Sequence, residues 1–281
     1  MPAMHMLTVP APAKLNLFLH VTGRRADGYH TLESLFVVLD HGDTIELSVR
    51  GDGVIDRRTD HSGIAPDQDL AVRAARALQR ASATALGVDI VLRKRIPPGG
   101  GLGGGSSDAA SVLLGLNRLW QLDWPRPRLM ALGLELGADV PFFVFGRSAL
   151  ARGIGEELVA VSVPLRWYAV VVPPVEVATA TIFAAPELTR DTPSAKMDVF
   201  SEGYGRNDLQ PVAVARFPAI AEALAGLHER STQARMTGSG SCVYAPFATE
   251  AEAHAAFEAR PPGMRGFVAR SLAAHPLVGF A

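Results

Sequence analysis

The sequence predicts an α+β fold, and three observations point to it. Residues 14–21, Lys-Leu-Asn-Leu-Phe-Leu-His-Val, alternate strictly. Leu15, Leu17, Leu19 and Val21 face one side and Lys14, Asn16, Phe18 and His20 the other, which is the period of a strand. Asp69 to Ala81 repeats at helical spacing, with Leu70, Ala71, Ala74, Ala75 and Leu78 in one stripe and Arg73, Arg76 and Arg80 outside it. Val88 to Ile96 alternates apolar and polar residues. That suits a sheet with one wetted face, not the doubly buried strands of a parallel α/β sheet.

The other elements follow in order. After the first strand, Asp27-Gly28 signals a turn. Leu35 to Leu39 and Thr44 to Val49 read as two strands joined through His41-Gly42-Asp43, so an antiparallel meander is expected. Residues 51–68 are polar and predict a loop. A second helix runs to about Gln121. Pro125 and Pro127 interrupt, and a helix over Arg128 to Leu136 ends at Gly137. Ser148 to Arg152, Glu157 to Val163 and Trp167 to Val172 read as strands, punctuated by Pro164, Pro173 and Pro174. A boundary near 155–165 divides the chain into domains 1–158 and 159–281. Thr179 to Phe183 opens a helix or lines a cleft. Residues 189–206 are polar and read as mobile. Val212 to Leu227 is helical, with a bend or break at Pro218. A helix over Thr249 to Arg260 and a strand over Gly266 to Leu272 complete the chain.

A length of 281 residues allows one large domain or two of ordinary size, and 48% hydrophobic content fills a core. A net charge of −1 offers no electrostatic reason to expect nucleic acid or an anionic membrane as a partner. The single cysteine, Cys242, excludes an internal disulfide and points to a reducing, cytoplasmic setting. No long apolar span or signal peptide is read. Of 27 basic residues only Lys14, Lys94 and Lys196 are lysines. Arginine bias of the genome is enough to explain this, yet it shortens the list of candidate catalytic lysines.

The stretch Pro97-Pro98-Gly99-Gly100-Gly101-Leu102-Gly103-Gly104-Gly105-Ser106-Ser107-Asp108 organises the rest. It places six of the chain's 27 glycines within seven positions. Val112, Leu113, Leu116, Leu119 and Trp120 then form a helical stripe, with Ser106 or Ser107 as its cap. A glycine loop feeding a helix N-terminus offers free N–H groups and a positive dipole end, which suit phosphate. The helix end alone contributes about 1 kcal/mol, so several amides and a cation must share the work. The other reading is a glycine-rich hairpin or linker. No Gly-Lys-Ser/Thr follows, so this is not a Walker A loop. Gly99, Gly101 and Gly104 satisfy G-x-G-x-x-G, but the half-wet strand before them weakens a nicotinamide-dinucleotide reading.

Two further segments stand out. Asp139 lies between a helix and the apolar run Phe142 to Phe145. An aspartate near a proline is an ordinary turn former, so Asp139 alone does not mark a catalytic carboxylate. Arg235-Met-Thr-Gly-Ser-Gly-Ser-Cys-Val-Tyr-Ala245 is a second glycine loop between strand-like pieces, either a cleft-lining turn or a structural hairpin.

Taken together, Pro12-Ala-Lys-Leu-Asn-Leu17, Pro97 to Ala109 and Thr237-Gly-Ser-Gly-Ser241 resemble the three motifs of the GHMP kinases. Arg25-Ala-Asp-Gly-Tyr-His-Thr31 and Leu136-Gly-Ala-Asp-Val-Pro-Phe142 resemble the signatures of the branch that acts on a diphosphocytidyl methylerythritol in non-mevalonate isoprenoid synthesis. The resemblance implies a two-domain GHMP kinase fold: a ribosomal S5 domain 2-like N-terminal domain and a ferredoxin-like C-terminal domain. It implies ATP and Mg²⁺, and phosphorylation of the 2-hydroxyl of the methylerythritol moiety. By likeness, Asp139 matches the catalytic base and Lys14 its cationic partner. Lys94, Pro97, Pro98 and Gly99 to Ser107 (Gly99, Gly100, Gly101, Leu102, Gly103, Gly104, Gly105, Ser106, Ser107) match the nucleotide cradle. Asn16, Tyr29, His30, Thr179, Thr181, Phe183, Gly238, Ser239 and Gly240 match the substrate side, with Tyr29 and Phe183 around the cytosine. Asp69 and Asp108 depart from the family, which often has Asn at both. A carboxylate at 108 would compete with the nucleotide unless it faces away or sees the metal.

That chemistry needs an attacking oxygen in line, a neutralised γ-phosphate and a proton acceptor. Lys14 beside Asp139 would favour its ionised form or polarise the hydroxyl. Stacking holds a base with roughly 1–3 kcal/mol but does not choose cytosine, so hydrogen bonds near His30 must.

Overall fold

A computed structural model describes residues 5–59, 64–194 and 203–281. Residues 60–63 in the 51–68 stretch, and 195–202 in the 189–206 stretch with Lys196, lie outside the described residues.

The molecule is built around a hairpin of two very long strands, β1 (Met6–Arg24) and β2 (His30–Arg50). They pair antiparallel from Met6↔Ser48 to Arg24↔His30. The segment expected to be two strands with a turn at His41-Gly42-Asp43 is thus one strand of 21 residues. The glycine there serves close approach and not chain reversal: a Cβ on Gly42 would lie 2.4 Å from the Ala11 carbonyl oxygen. Register shifts between Pro12 and Lys14 and between Asn16 and Phe18 bend β1 at the segment that carries the site residues.

At about 3.3 Å per residue, β2 is too long for one partner on its second edge. Three share it. Thr44 to Arg50 pair with β4 (Gly87–Arg93), Ser34 to Phe36 with β5 (Ala149–Arg152), and Val38 and Leu39 with β10 (Arg265–Leu272). β3 (Ile55–Arg57) adds parallel to β4, an unexpected strand in the 51–68 stretch, and β6 (Glu157–Ala160) pairs β5. β10 continues through β7 (Trp167–Val172) and β9 (Val243–Phe247) to β8 (Arg235–Met236).

Two helical layers cover the sheet. The first holds α1 (Leu70–Ser82), α2 (Gly104–Leu119), α3 (Arg126–Leu134) and α4 (Val140–Phe145). α2 is not the one-sided helix its stripe suggested: nearly every residue from Ser107 to Leu119 is buried, including Asp108, Ser111 and Asn117. Two of these polar positions are matched by backbone: Ser111 donates to the Pro10 carbonyl, and Asn117 bonds both backbone groups of Trp124, while Ser107 Oγ and Asp108 Oδ1 are left without a partner. The apolar run 142–145, preceded by Asp139, belongs to the short helix α4. The second layer holds α5 (Thr179–Phe183), α6 (Gln210–Arg216), α7 (Pro218–His228) and α8 (Glu250–Glu258). α6 and α7 are separated at Phe217, as Pro218 predicts.

One core joins Val9, Ile45, Leu78, Leu113 and Phe142. Another joins Leu19 and Val21 to Val171, Ile182, Ile220 and Leu224. Between them lies a third, of Leu15, Val37, Leu102, Tyr168, Cys242 and Tyr244. This middle core contains a residue of each glycine loop, and so locks both loops to β1.

Candidate active site

The glycine run contains a single apolar residue, and Leu102 is buried in the middle core while its carbonyl accepts from the Lys14 N–H at 3.0 Å. Gly99, Gly101 and Gly103 have φ of +66°, +74° and +74°, a region that side chains with Cβ avoid. The glycines meet protein as well as any ligand: a Cβ on Gly100 would lie 2.5 Å from Cys242 Sγ, and one on Gly103 2.9 Å from the Phe143 ring. α2 starts earlier than expected, with Gly103 as N-cap and Ser106 and Ser107 inside the first turn. The N–H groups of Gly104, Gly105 and Ser106 therefore have no helical acceptor and stand as donors at the positive end of the helix.

Lys14 projects from β1 and is almost wholly buried. Its ammonium donates to Asn16 Oδ1 at 2.5 Å, sits 5.1 Å from the Phe36 ring centroid, and lies 3.7 Å from Asp139 Oδ2. That last separation is a charge pair, beyond hydrogen-bond reach. Burial lowers the lysine below its ordinary pKa, and Asp139 works against the shift. Asp139 sits at the N-cap of α4 with its side chain one-third exposed. Asn16 is fully engaged: Oδ1 also accepts from Gly238 N–H at 2.9 Å, and Nδ2 donates to Ser34 Oγ at 2.7 Å. It orients Lys14 and ties β1 to the second glycine loop.

A cavity of about 750 Å³ brings these groups together. Lys14, Asn16 and Asp139 line it with Gly99, Gly101, Gly103, Gly238 and Ser239. So do Tyr29, His30, Thr179 and Phe183. Thr179 and Ser239 hydroxyls bond at 2.8 Å, joining α5 to the second glycine loop. The His30 and Phe183 rings lie 5.0 Å apart at 30°, and Tyr29 is 63% exposed at the rim.

Models of the GHMP kinases N terminal domain and GHMP kinases C terminal match residues 69–147 and 185–261. A 4-diphosphocytidyl-2-C-methyl-D-erythritol kinase of Thiobacillus denitrificans is 58% identical over 271 residues, 96% of this chain and 97% of that protein. One of Nitrosospira multiformis is 54% identical over 277 residues, 98% of this chain and 94% of its own. The chain belongs to the GHMP kinases, in the branch of the 4-diphosphocytidyl-2-C-methyl-D-erythritol kinases. A crystal structure of a 4-(cytidine 5'-diphospho)-2C-methyl-D-erythritol kinase superposes with a TM-score of 0.83 at 34% identity, covering 94% of this chain and 99% of that one. A homoserine kinase from Cytophaga hutchinsonii shares the fold, with a TM-score of 0.73 at 16% identity over 98% of this chain and 97% of that one. The two-domain GHMP kinase architecture expected from the motifs is therefore present, and membership of this family implies ATP as co-substrate.

Most of the remaining anticipated site residues of this GHMP kinase adjoin lining residues in the chain without forming the cavity wall themselves. Pro97, Pro98, Gly100, Leu102, Gly104, Gly105, Ser106 and Ser107 support the loop or open α2 without lining it; Thr181 and Gly240 do not line it either. Lys94 is held by Asp43 and by Asp108, whose Oδ2 is 2.5 Å away. Against burial, those two carboxylates raise the Lys94 pKa. Asp108 thus turns toward Lys94, and Asp69 caps α1 through the Ala71 N–H while pairing with Arg57 at 2.7 Å. Sequence reading missed Ser34, Phe36, Arg24 and Arg190, which carry no local signal because only the fold brings them to the cavity or behind it.

Proposed function

We propose that this kinase transfers the γ-phosphoryl group of ATP to the 2-hydroxyl of 4-diphosphocytidyl-2-C-methyl-D-erythritol. One observation carries the reading: a single cavity holds the Lys14–Asp139 pair, glycines of both loops and the His30–Phe183 ring pair. The relatives named for this activity support the substrate.

In this mechanism Asp139 accepts the hydroxyl proton, and the oxygen attacks the γ-phosphorus. The bond to the β–γ bridging oxygen breaks, and ADP leaves with its electron pair. A base of this kind contributes ~10²–10⁴-fold. Lys14, held by Asn16, steadies the carboxylate or the developing alkoxide. Amides of the glycine loop and the α2 N-terminus cradle the phosphates.

Mg²⁺ fits the arrangement as a partner of the nucleotide. Among the described residues there is no group of three or more His, Cys, Asp or Glu that could hold a metal by itself. Ser107 Oγ is buried without a partner, and Asp139 is partly exposed; these oxygens would complete a shell supplied mostly by phosphates and water. Bound Mg²⁺ neutralises charge on the transferring group. The same reading divides the chain at 1–158 and 159–281, between the two family-model matches, although Leu19 and Val21 pack in the second core and Leu277 in the first.

Phosphorus NMR of reactions with ATP·Mg²⁺ and a panel of alcohols tests the proposal. Phosphorylation of the cytidylylated methylerythritol is expected. Turnover of mevalonate or homoserine in its place would sink it, as would tight NAD binding without ATP binding.

A further inference from the structure

Arg190 lies behind the cavity wall and reaches His30. Its Nε donates to His30 Nε2 at 3.1 Å. The rest of the guanidinium is pinned to three backbone carbonyls: Leu188 at 3.0 Å, Phe183 at 3.0 Å and Ala185 at 2.7 Å. Phe183, one of those three, is the residue whose ring packs on His30. The arginine therefore holds the ring pair from behind, through the backbone of one member and the imidazole of the other.

A guanidinium has no lone pair to offer and does not lose its proton. The nitrogen that accepts from it must be bare, so the proton of the neutral ring resides on Nδ1. Double protonation would remove this bond and set an imidazolium against a guanidinium. Burial first, then Arg190 and Arg24, lowers the His30 pKa, in keeping with a neutral ring.

We propose that Arg190 is a positioning residue for base selection: it fixes the tautomer of His30, so that the imidazole meets a pyrimidine as a hydrogen-bond donor at Nδ1 and not as an acceptor. This rests on the reading that a cytidine nucleotide occupies the cavity. Cytosine presents acceptors at both N3 and O2, whereas N3 of uracil carries a hydrogen. Uracil keeps acceptors at O2 and O4, so the choice is made where Nδ1 meets N3: there a donating ring favours cytosine, which stacking on Phe183 cannot do.

Ring ¹⁵N NMR of the full-length protein at pH 7, with the His30 signals assigned by their loss in His30→Gln, reads the tautomer directly. A neutral ring with its proton on Nδ1 is expected; a proton on Nε2, or an imidazolium, overturns the inference. Calorimetric titration with CDP and UDP reads the consequence. Arg190→Gln, whose amide can either donate or accept, should weaken CDP about ten-fold and shrink the CDP/UDP ratio, with the KM for ATP unchanged. Arg190→Lys, which restores a donor without the carbonyl tethers, should fall in between. An unchanged CDP/UDP ratio in Arg190→Gln overturns the inference even if overall activity drops; should that variant not fold, the wild-type ring spectrum and Arg190→Lys decide. Failure of the wild type to bind CDP, with the ring proton found on Nδ1, sinks the functional reading and the selectivity claimed from it, while leaving the tautomer established.

Discussion

Gly101 and Thr237 lie back to back: a Cβ on Gly101 would stand 2.2 Å from the Thr237 carbonyl oxygen. Nearby, the Cys242 N–H donates to the Gly100 carbonyl at 3.2 Å, and a Cβ on Gly238 would lie 3.0 Å from Gly101 Cα. The two glycine loops, 136 residues apart at Gly101 and Thr237, form one packed unit. Part of the glycine requirement thus comes from the protein itself.

Gly99 and Gly101 separate the two demands. Gly99 has open space, its nearest neighbour being Glu176 Cγ at 3.9 Å, so Gly99→Ala meets only the left-handed backbone penalty of about 1–2 kcal/mol. Gly101→Ala adds a collision with backbone and is expected to destabilise by roughly 3 kcal/mol or more. Urea unfolding measures both. Equal losses would show that the loops are not mutually packed.

Lys14→Met is expected to lower kcat by roughly 10²–10³-fold, the scale of losing one preorganised electrostatic group. Stability should hold or rise. Burial depresses the folded-state pKa of Lys14 below 10.5, so the folded protein binds this proton less well than the unfolded chain. Stability then increases with pH between the folded pKa and 10.5, and the charged lysine is a burden at neutral pH. A fall in Tm alongside kcat would recast Lys14 as a structural residue.

Asp108→Asn tests the pair of carboxylates that share one ammonium. Burial, with Asp43 and Asp69 adding to it against Lys94, raises Asp108 from 3.8 to about 7. The folded state keeps this proton where the unfolded chain has released it, so wild-type stability declines as pH rises through that window. The amide removes the slope while Lys94 keeps Asp43. The gain in Tm over wild type should be larger at pH 8 than at pH 5; the reverse order would refute the assignment.

His275 predicts acid sensitivity. Its backbone N–H donates to the Gly146 carbonyl at 2.9 Å, just after α4, and its Nδ1 accepts from Leu277 at 3.0 Å. Burial, aided by Arg126, lowers its pKa from 6.5 to about 4. As pH falls from 6.5 to 4 the unfolded chain takes up the proton first, and about 3 kcal/mol of stability is lost. Thermal melts between pH 7 and 4.5 should show a shallower decline in His275→Gln than in wild type. Parallel curves would exclude this histidine.

Much of the fold was legible. The strand at 14–21, the helical stripe of 69–81, the break at Pro218 and the glycine loop opening a helix all have local causes and form where those causes put them. The strict two-faced alternation of 14–21 does not hold: the register shift between Asn16 and Phe18 switches the faces, so Leu19 and not Phe18 joins Lys14 and Asn16 at the cavity. Local signals failed where distant packing intervened. His41-Gly42-Asp43 has the composition of a turn, yet β1 runs alongside it and keeps it extended; Gly42 is there to let Ala11 approach. Ser106 and Ser107 have the chemistry of caps, yet Gly103 takes the cap because Phe143 and the Lys14 stem crowd its position and leave no room for a side chain.

The sequence alone therefore determined most of the elements, the family and a set of candidate groups for the chemistry, since periodicity, turn residues and motifs are properties of neighbouring positions. Only the tertiary structure decided which of those groups share a cavity. It set Lys14 3.7 Å from Asp139, turned Asp108 toward Lys94, and put Arg190 behind His30. Those pairings join residues 14 to 160 positions apart; they exist because sheet register and core packing bring separate elements together, which no local pattern records.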